Sequence, residues 1–197
     1  MKYYLKQLIL PFVYLVCLGF SGYAIALLGA NWAEILVSSI MLFFFSYLMT
    51  LLFYREGQAA LKTRNANDIE REYMVKTGKD ANLNLTEEYK WYKPFIFGLL
   101  VSAPLIICAI IHLILMLAVG PEANGAAEVG SRIYMLYYQF LRYIFGPLVG
   151  WDFFWVLTFI PYICLLFFVS YYLGSVKVKR QTEEIKAKHR MLHGDEN

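Results

Sequence analysis

The fold of this chain is decided by ILVSSIMLFFFSYLMTLLFY, residues 35–54, twenty residues that include no Asp, Glu, Lys or Arg. A transmembrane helix needs about 20 mostly apolar residues to cross a hydrocarbon core about 30 Å thick. Lipid cannot satisfy backbone polar groups, so a run of this length must form its own hydrogen bonds as a helix. The stretch therefore predicts a membrane-spanning helix.

Three further charge-free runs of similar length extend this pattern along the chain. The 197 residues are 59% hydrophobic and only 17% charged, and the charges occur in blocks. A soluble domain is usually about one quarter charged. We predict four transmembrane helices, near residues 8–29, 34–54, 94–119 and 151–173.

The segment 132–148 is apolar and aromatic but too short on either side of Arg142 to cross the bilayer. Arg132, Gln139 and Arg142 fall within one narrow arc of a helix, which is typical of a helix lying in the interface. The Gly146-Pro147 pair ends it. The predicted fold is an all-α integral membrane protein with four transmembrane helices plus an outer interfacial or re-entrant helix, in a single membrane domain 1–197.

Orientation follows from the basic residues. Sixteen of the eighteen Lys and Arg residues lie in three segments: the first six residues, the loop 55–93 and the tail 175–197. The other two are Arg132 and Arg142. The positive-inside rule predicts that both termini are cytoplasmic. A five-span arrangement would place the basic tail outside and is rejected. Short loops and the lack of a eukaryotic targeting signal favour a bacterial cell membrane.

The N-terminus has an alternative reading as a cleaved signal peptide, since Ala24-Ile25-Ala26 resembles a cleavage site. The apolar run is long for a signal, and a second span follows within a few residues. We therefore interpret the first run as a retained helix.

The loop 55–93 carries two capping patterns. Asn67 with Glu70 predicts the start of one short helix that Gly78 closes. Asn84 with Glu87 predicts the start of a second, which runs into the third span and is bent at Pro94. We predict two short cytoplasmic helices.

Small residues recur at helical spacing in the spans. Gly19, Gly22 and Ala26 share one face of the first span. Small residues let helices approach closely where lipid supplies no hydrophobic drive. Packing within the bundle is the main interpretation, and a dimer face is the alternative. The same pattern marks the third span through Gly98, Ser102 and Ala109.

His112 is the one titratable side chain deep inside a predicted span, which makes it a functional candidate. Glu34, Asp152 and Arg142 are expected near the same outer level. Together they form a hypothetical polar pocket for a cation, a proton or a small ligand. The alternative is a neutral imidazole that hydrogen-bonds a neighbouring helix.

No motif of a known enzyme class occurs, and Cys17, Cys108 and Cys164 have no metal-ligand spacing, so we predict no enzymatic activity and no cofactor. The most favoured function is a non-enzymatic accessory, assembly or interaction component. The alternative is a small oligomeric transporter or channel that uses the pocket near His112.

The expected partners follow from the membrane assignment. They are the lipid bilayer with anionic lipid at the cytoplasmic face, and a homo-oligomer or another membrane protein, with no nucleic acid. The segment 65–73 is either a docking helix or a solvated surface helix. In the tail, Val178, Ile185 and Leu192 recur every seven residues, too few positions to predict a coiled coil.

Overall fold

A computed structural model of the chain describes residues 3, 6–14, 16–17, 31–78, 83–120 and 158–193. Within these residues the regular secondary structure is helical and there is no strand, which confirms the predicted all-α class. Residues 6–14 belong to a helical N-terminal stretch. Three long helices follow: α1, Asn31–Thr77; α2, Lys93–Val119; and α3, Phe159–His193.

Two of the described helices, α1 and α3, are long and apolar enough to cross a membrane. Their exposed surface is apolar along the predicted spans, as at Phe43 on α1, which is 76% exposed, and Leu165 on α3. The second half of the predicted first span and the outer segment 132–148 lie outside the described residues.

The first helix corrects the predicted organisation of the loop. α1 continues without a break through Tyr54 to Thr77, so the expected short helix that begins at Asn67 is wrong. No Pro occurs in residues 55–77, and Gly57 is the only Gly, so nothing in that stretch interrupts the helix. The predicted end is confirmed: Gly78 has φ 67°, and its N–H donates to the Met74 carbonyl at 2.8 Å.

The second capping pattern forms, but it does not start a helix. The Asn84 side-chain oxygen accepts the Glu87 N–H at 3.2 Å, and the Asn84 amide donates to the Glu87 carboxylate at 2.9 Å. Only a turn results, and α2 begins at Lys93. Pro94 lies in the first turn of α2, where its missing N–H needs no partner, and this suits a helix that begins at Lys93 and not earlier.

The chain divides into two compact units. The first comprises Met1–Met49 and Phe95–Leu166, and the second comprises Thr50–Pro94 and Phe167–Asn197. Each has its own buried positions, spaced three or four residues apart on each helix, as one helix face requires. In the first unit they include Leu42, Phe45, Phe97, Val101, Phe159 and Ile163, and in the second Phe53, Ala60, Phe167, Tyr171 and Val178.

Candidate functional site

The second unit is organised by a close approach of α1 and α3 that we call the glycine crossing, formed by Gly57 and Gly174. A Cβ on Gly57 would lie 2.8 Å from the Tyr171 carbonyl carbon, and a Cβ on Gly174 would lie 2.9 Å from that of Tyr54. Both obstacles are backbone atoms, which cannot rotate away. Only glycine at both positions allows the two backbones to approach this closely.

Aromatic rings pack beside the glycine crossing. Phe53 stacks on Phe167 with ring centroids 3.8 Å apart, and both are buried. Four residues further along each helix, Gly57 meets Tyr171. The contacts therefore advance together along both helices, so α1 and α3 run in the same direction.

A set of four side chains, the polar clasp, ties the returning chain to α1. It consists of Asn67 and Arg71 from α1 with Asn84 and Glu88 from the segment 83–92. The Arg71 guanidinium donates to Glu88 at 2.9 Å, and the Asn67 amide donates to the Asn84 carbonyl at 3.2 Å and to the Glu88 carboxylate at 3.4 Å. The Asn67 side-chain oxygen in turn accepts the Asn84 N–H at 3.2 Å. Asn67 and Glu88 are buried, which explains how an asparagine persists inside a helix.

The electrostatics of the polar clasp come from its one ion pair. The hydrogen bond from Arg71 holds the pKa of Glu88 below its usual value, against an opposing effect of burial. The bond to Glu88 likewise raises the pKa of Arg71, assisted by Asp68 at 2.6 Å. Both groups stay ionised at neutral pH. Arg71 is partly exposed, so the pair orients the segment more than it stabilises it.

Two further contacts fix the same segment. The Tyr89 N–H donates to the Ala60 carbonyl at 3.0 Å, and the Tyr89 ring stacks on Tyr171 with centroids 5.1 Å apart. Lys93 is fully buried, and its ammonium donates to the Thr86 carbonyl at 2.7 Å. Burial lowers the pKa of Lys93, and the nearby Glu56 carboxylate opposes that effect.

The first unit contains an open groove of about 500 Å³. In its lining the Ser46 hydroxyl donates to the Leu42 carbonyl at 2.6 Å, and the Tyr162 hydroxyl is hydrogen-bonded to Ser46. Apart from these bonded hydroxyls and Ser39 its lining is apolar, so the groove offers a surface for hydrocarbon. Its lining residues are Ser39, Ile40, Leu42, Phe43, Ser46 and Tyr162.

The sequence-derived pocket falls largely outside the described part of the chain. The backbones of His112 and Glu34 lie in α2 and α1, but their side chains are not among the described ones. Asp152 and Arg142 lie outside the described residues altogether. The pocket therefore stays a prediction.

The small-residue pattern is described only in α2. Gly98 is buried in the first unit, where a Cβ would lie 2.7 Å from the Cys164 sulfur. Ser102 is also buried, and its hydroxyl has no hydrogen-bond partner among the described residues. Gly19, Gly22 and Ala26 lie outside the described residues, as does the side chain of Ala109.

The sequence analysis predicted neither the glycine crossing nor the polar clasp of the second unit. Gly57 is a lone glycine in a polar segment, and no local pattern links it to Gly174 in another helix. Arg71 and Glu88 are seventeen residues apart, and neither belongs to a capping pattern. The one available signal was the balance of the loop, whose eight basic residues face seven acidic ones.

No family model matches the chain, and neither a curated protein nor a solved structure shows significant similarity to it. Among the described residues, no group of three or more His, Cys, Asp or Glu side chains is placed to hold a metal ion.

Proposed function

We propose that this chain is a multi-pass protein of the cell membrane with four spans, an outer interfacial or re-entrant helix and both termini in the cytoplasm. Its function is that of a non-enzymatic assembly or interaction component. The second unit is the part that meets cytoplasmic partners.

The observation that carries this proposal is the length of two unbroken helices. α1 continues 23 residues beyond Tyr54, and α3 continues 20 residues beyond Leu173. At 1.5 Å per residue these extensions measure about 35 Å and about 30 Å. Helices of this length reach well past the headgroups and present side chains to the cytoplasm.

The polar groups of the second unit support interaction over catalysis. The Glu88 carboxylate is engaged by Arg71 and Asn67, and the Lys93 ammonium by Thr86. The bonds to Glu88 hold the returning segment against α1, and the bond from Lys93 holds it against the start of α2. Exposed side chains at the far ends of α1 and α3 are then available for recognition of a protein surface.

The topology is tested by labelling single cysteines placed at 78, 126 and 197 in cells with a membrane-impermeant reagent. Only position 126 is expected to react from outside. The measurement needs no purified protein, and it separates the four-span arrangement from the others. Labelling of position 197 from outside would contradict the four-span topology.

The interaction function is tested by a photo-crosslinking side chain at Tyr73, on the exposed side of α1, and at Phe43 in the predicted span as a control. We expect discrete protein adducts at position 73 and lipid adducts at position 43. Glu88→Gln should weaken the adduct at 73, because it loosens the polar clasp. Equal adducts with and without an intact clasp would count against the second unit as the recognition part.

A further inference from the structure

The exposed side of α1 carries a short apolar and acidic surface, which we call the acidic face: Ile69, Glu70 and Glu72. Ile69 is 69% exposed, and both glutamates are exposed and have no ion-pair partner in the described part of the chain. Asn67, the buried residue of the polar clasp, lies about 200° around the helix from Ile69. Ile69, the centre of the acidic face, therefore points away from the segment that packs on α1, and Glu70 lies on the side nearer to that segment.

The far end of α3 carries a second surface of the same form, which we call the basic face: Ile185, Lys186 and Lys188. Burial along α3 ends at Val178, and Ile185, seven residues later on the same stripe, is 68% exposed. Both lysines are exposed, again with no ion-pair partner among the described residues.

The two faces have the same spacing and opposite charge. Ile-Glu-Arg-Glu at 69–72 and Ile-Lys-Ala-Lys at 185–188 each place a charged residue one and three positions after an exposed isoleucine. On a helix those positions lie about 100° to one side of the isoleucine and about 60° to the other. Each apolar centre is thus flanked on both sides by charges that match the other face.

Anionic lipid does not account for the basic face. Lys186 and Lys188 follow the end of the proposed span at Leu173 by 13 and 15 residues, or about 20 Å along the helix axis. The Debye length at physiological ionic strength is about 8 Å, so a surface at that distance is largely screened. Acidic groups on a protein surface at the same level can pair with these lysines.

We propose that the partner is a second copy of this chain, whose acidic face packs on the basic face of the first. Ile69 lies 15 residues beyond Tyr54 and Ile185 lies 12 beyond Leu173, so their depths differ by about one helical turn. Because α1 and α3 run in the same direction, a twofold axis along the membrane normal forms both contacts at once. This inference rests on the proposed function in one respect: both faces lie on the same side of the membrane.

The test begins with disulfide crosslinking of the full chain in membranes, using Ile69→Cys with Ile185→Cys after replacement of Cys17, Cys108 and Cys164 by Ser. A crosslinked dimer is expected. A disulfide confined to the monomer would show that α3 closes onto its own α1 and would overturn the proposal.

Charge reversal with rescue supplies the second measurement. Glu70→Lys with Glu72→Lys, or Lys186→Glu with Lys188→Glu, should each weaken the dimer in detergent by at least about tenfold, since like charges then oppose each other. All four reversals combined should restore it. Arg180→Glu, an exposed charge about 140° around α3 from Ile185, should leave it unchanged. The proposal is contradicted if either pair of charge reversals leaves the dimer as stable as the wild type. It is also contradicted if the four combined reversals give a folded protein that does not dimerise.

Two further outcomes separate this proposal from its alternatives. Basic-face protection from solvent that appears only in nanodiscs with phosphatidylserine would identify lipid as the partner and overturn it. A monomer whose positions 78 and 197 are both cytoplasmic would refute the dimer alone. Positions 78 and 197 on opposite sides would instead refute the proposed topology, and the dimer with it.

Discussion

The parts of α1 and α3 that lie beyond the glycine crossing differ in how they are packed. Beyond Ala60, the segment 83–92 packs on one side of α1, so that Asn67 and Glu88 are buried and Arg71 is bonded. Beyond Val178, no described residue of α3 is buried. Both ends are helical, but within the described part of the chain only the end of α1 is held by tertiary contacts.

This difference separates two sources of helical order. A helix in water gains most of its stability from packing an apolar face, and an isolated helix shorter than about 15 residues is marginal. The end of α1 is therefore ordered as part of the folded unit. The end of α3 depends on its own helix formers and is the end that a partner can stabilise.

The largest effect is expected where both helices depend on one contact. Gly57→Leu would drive a side chain into the Tyr171 carbonyl and should lower the free energy of unfolding by about 3 kcal/mol, because the backbone cannot yield. Thermal unfolding in detergent measures it. Ala59→Leu is the control, since Ala59 is exposed on the same helix. Equal losses in the two variants would show that the glycine crossing is not the critical contact.

A smaller effect is expected when the clasp alone is broken. Glu88→Gln removes the charge that Arg71 binds, so the end of α1 should come to resemble that of α3. Hydrogen exchange of residues 83–90 should become several-fold faster, while α3 keeps its rates beyond Val178. Glu70→Gln, at an exposed position, serves as the control. Unchanged exchange at 83–90 would mean that Tyr89 and Lys93 suffice to hold the segment.

The stability that the polar clasp contributes should depend on pH, and this gives a further test of the difference between the ends of α1 and α3. The folded protein lowers the pKa of Glu88 from 4.5, because Arg71 binds the ionised form. The contribution of Glu88 is therefore complete above pH 4.5 and is lost as the pH falls through the lowered folded pKa. The difference in melting temperature between wild type and Glu88→Gln should be full at neutral pH and shrink below pH 4.5. If the difference in melting temperature increased on acidification, the lowered pKa of Glu88 in the folded protein would be contradicted.

The smallest effect comes from one substitution made at both ends. Ala66→Gly on α1 and Ala187→Gly on α3 each weaken a helix by about 1 kcal/mol at an exposed position. The first should lower the melting temperature by a few degrees, because its helix belongs to the cooperative unit. The second should leave the melting temperature unchanged and only reduce helicity by circular dichroism. Matching shifts would show that both ends unfold with the core.

The sequence predicted the structure correctly where the local residues alone determine it. The apolar runs required helices, and Gly78 had the residue type that ends one. It misled at Asn67, because a capping asparagine and a buried helical asparagine have the same neighbours. Only Asn84 and Glu88, seventeen and twenty-one residues away, make the difference. The role of Gly57 could not be predicted for the same reason, because Gly174, which forms the crossing with it, is 117 residues further along the chain.

The continuity of α1 has a mechanical consequence. Tyr73 lies 19 residues beyond Tyr54 on the same unbroken helix, a lever arm of about 28 Å. In the proposed topology, a tilt of about 10° in the spanning part of α1 would displace Tyr73 by about 5 Å, the rise of one helical turn. The polar clasp packs on this arm, so a change in bilayer thickness that tilts the proposed span would be converted into a sideways displacement of the exposed side of α1.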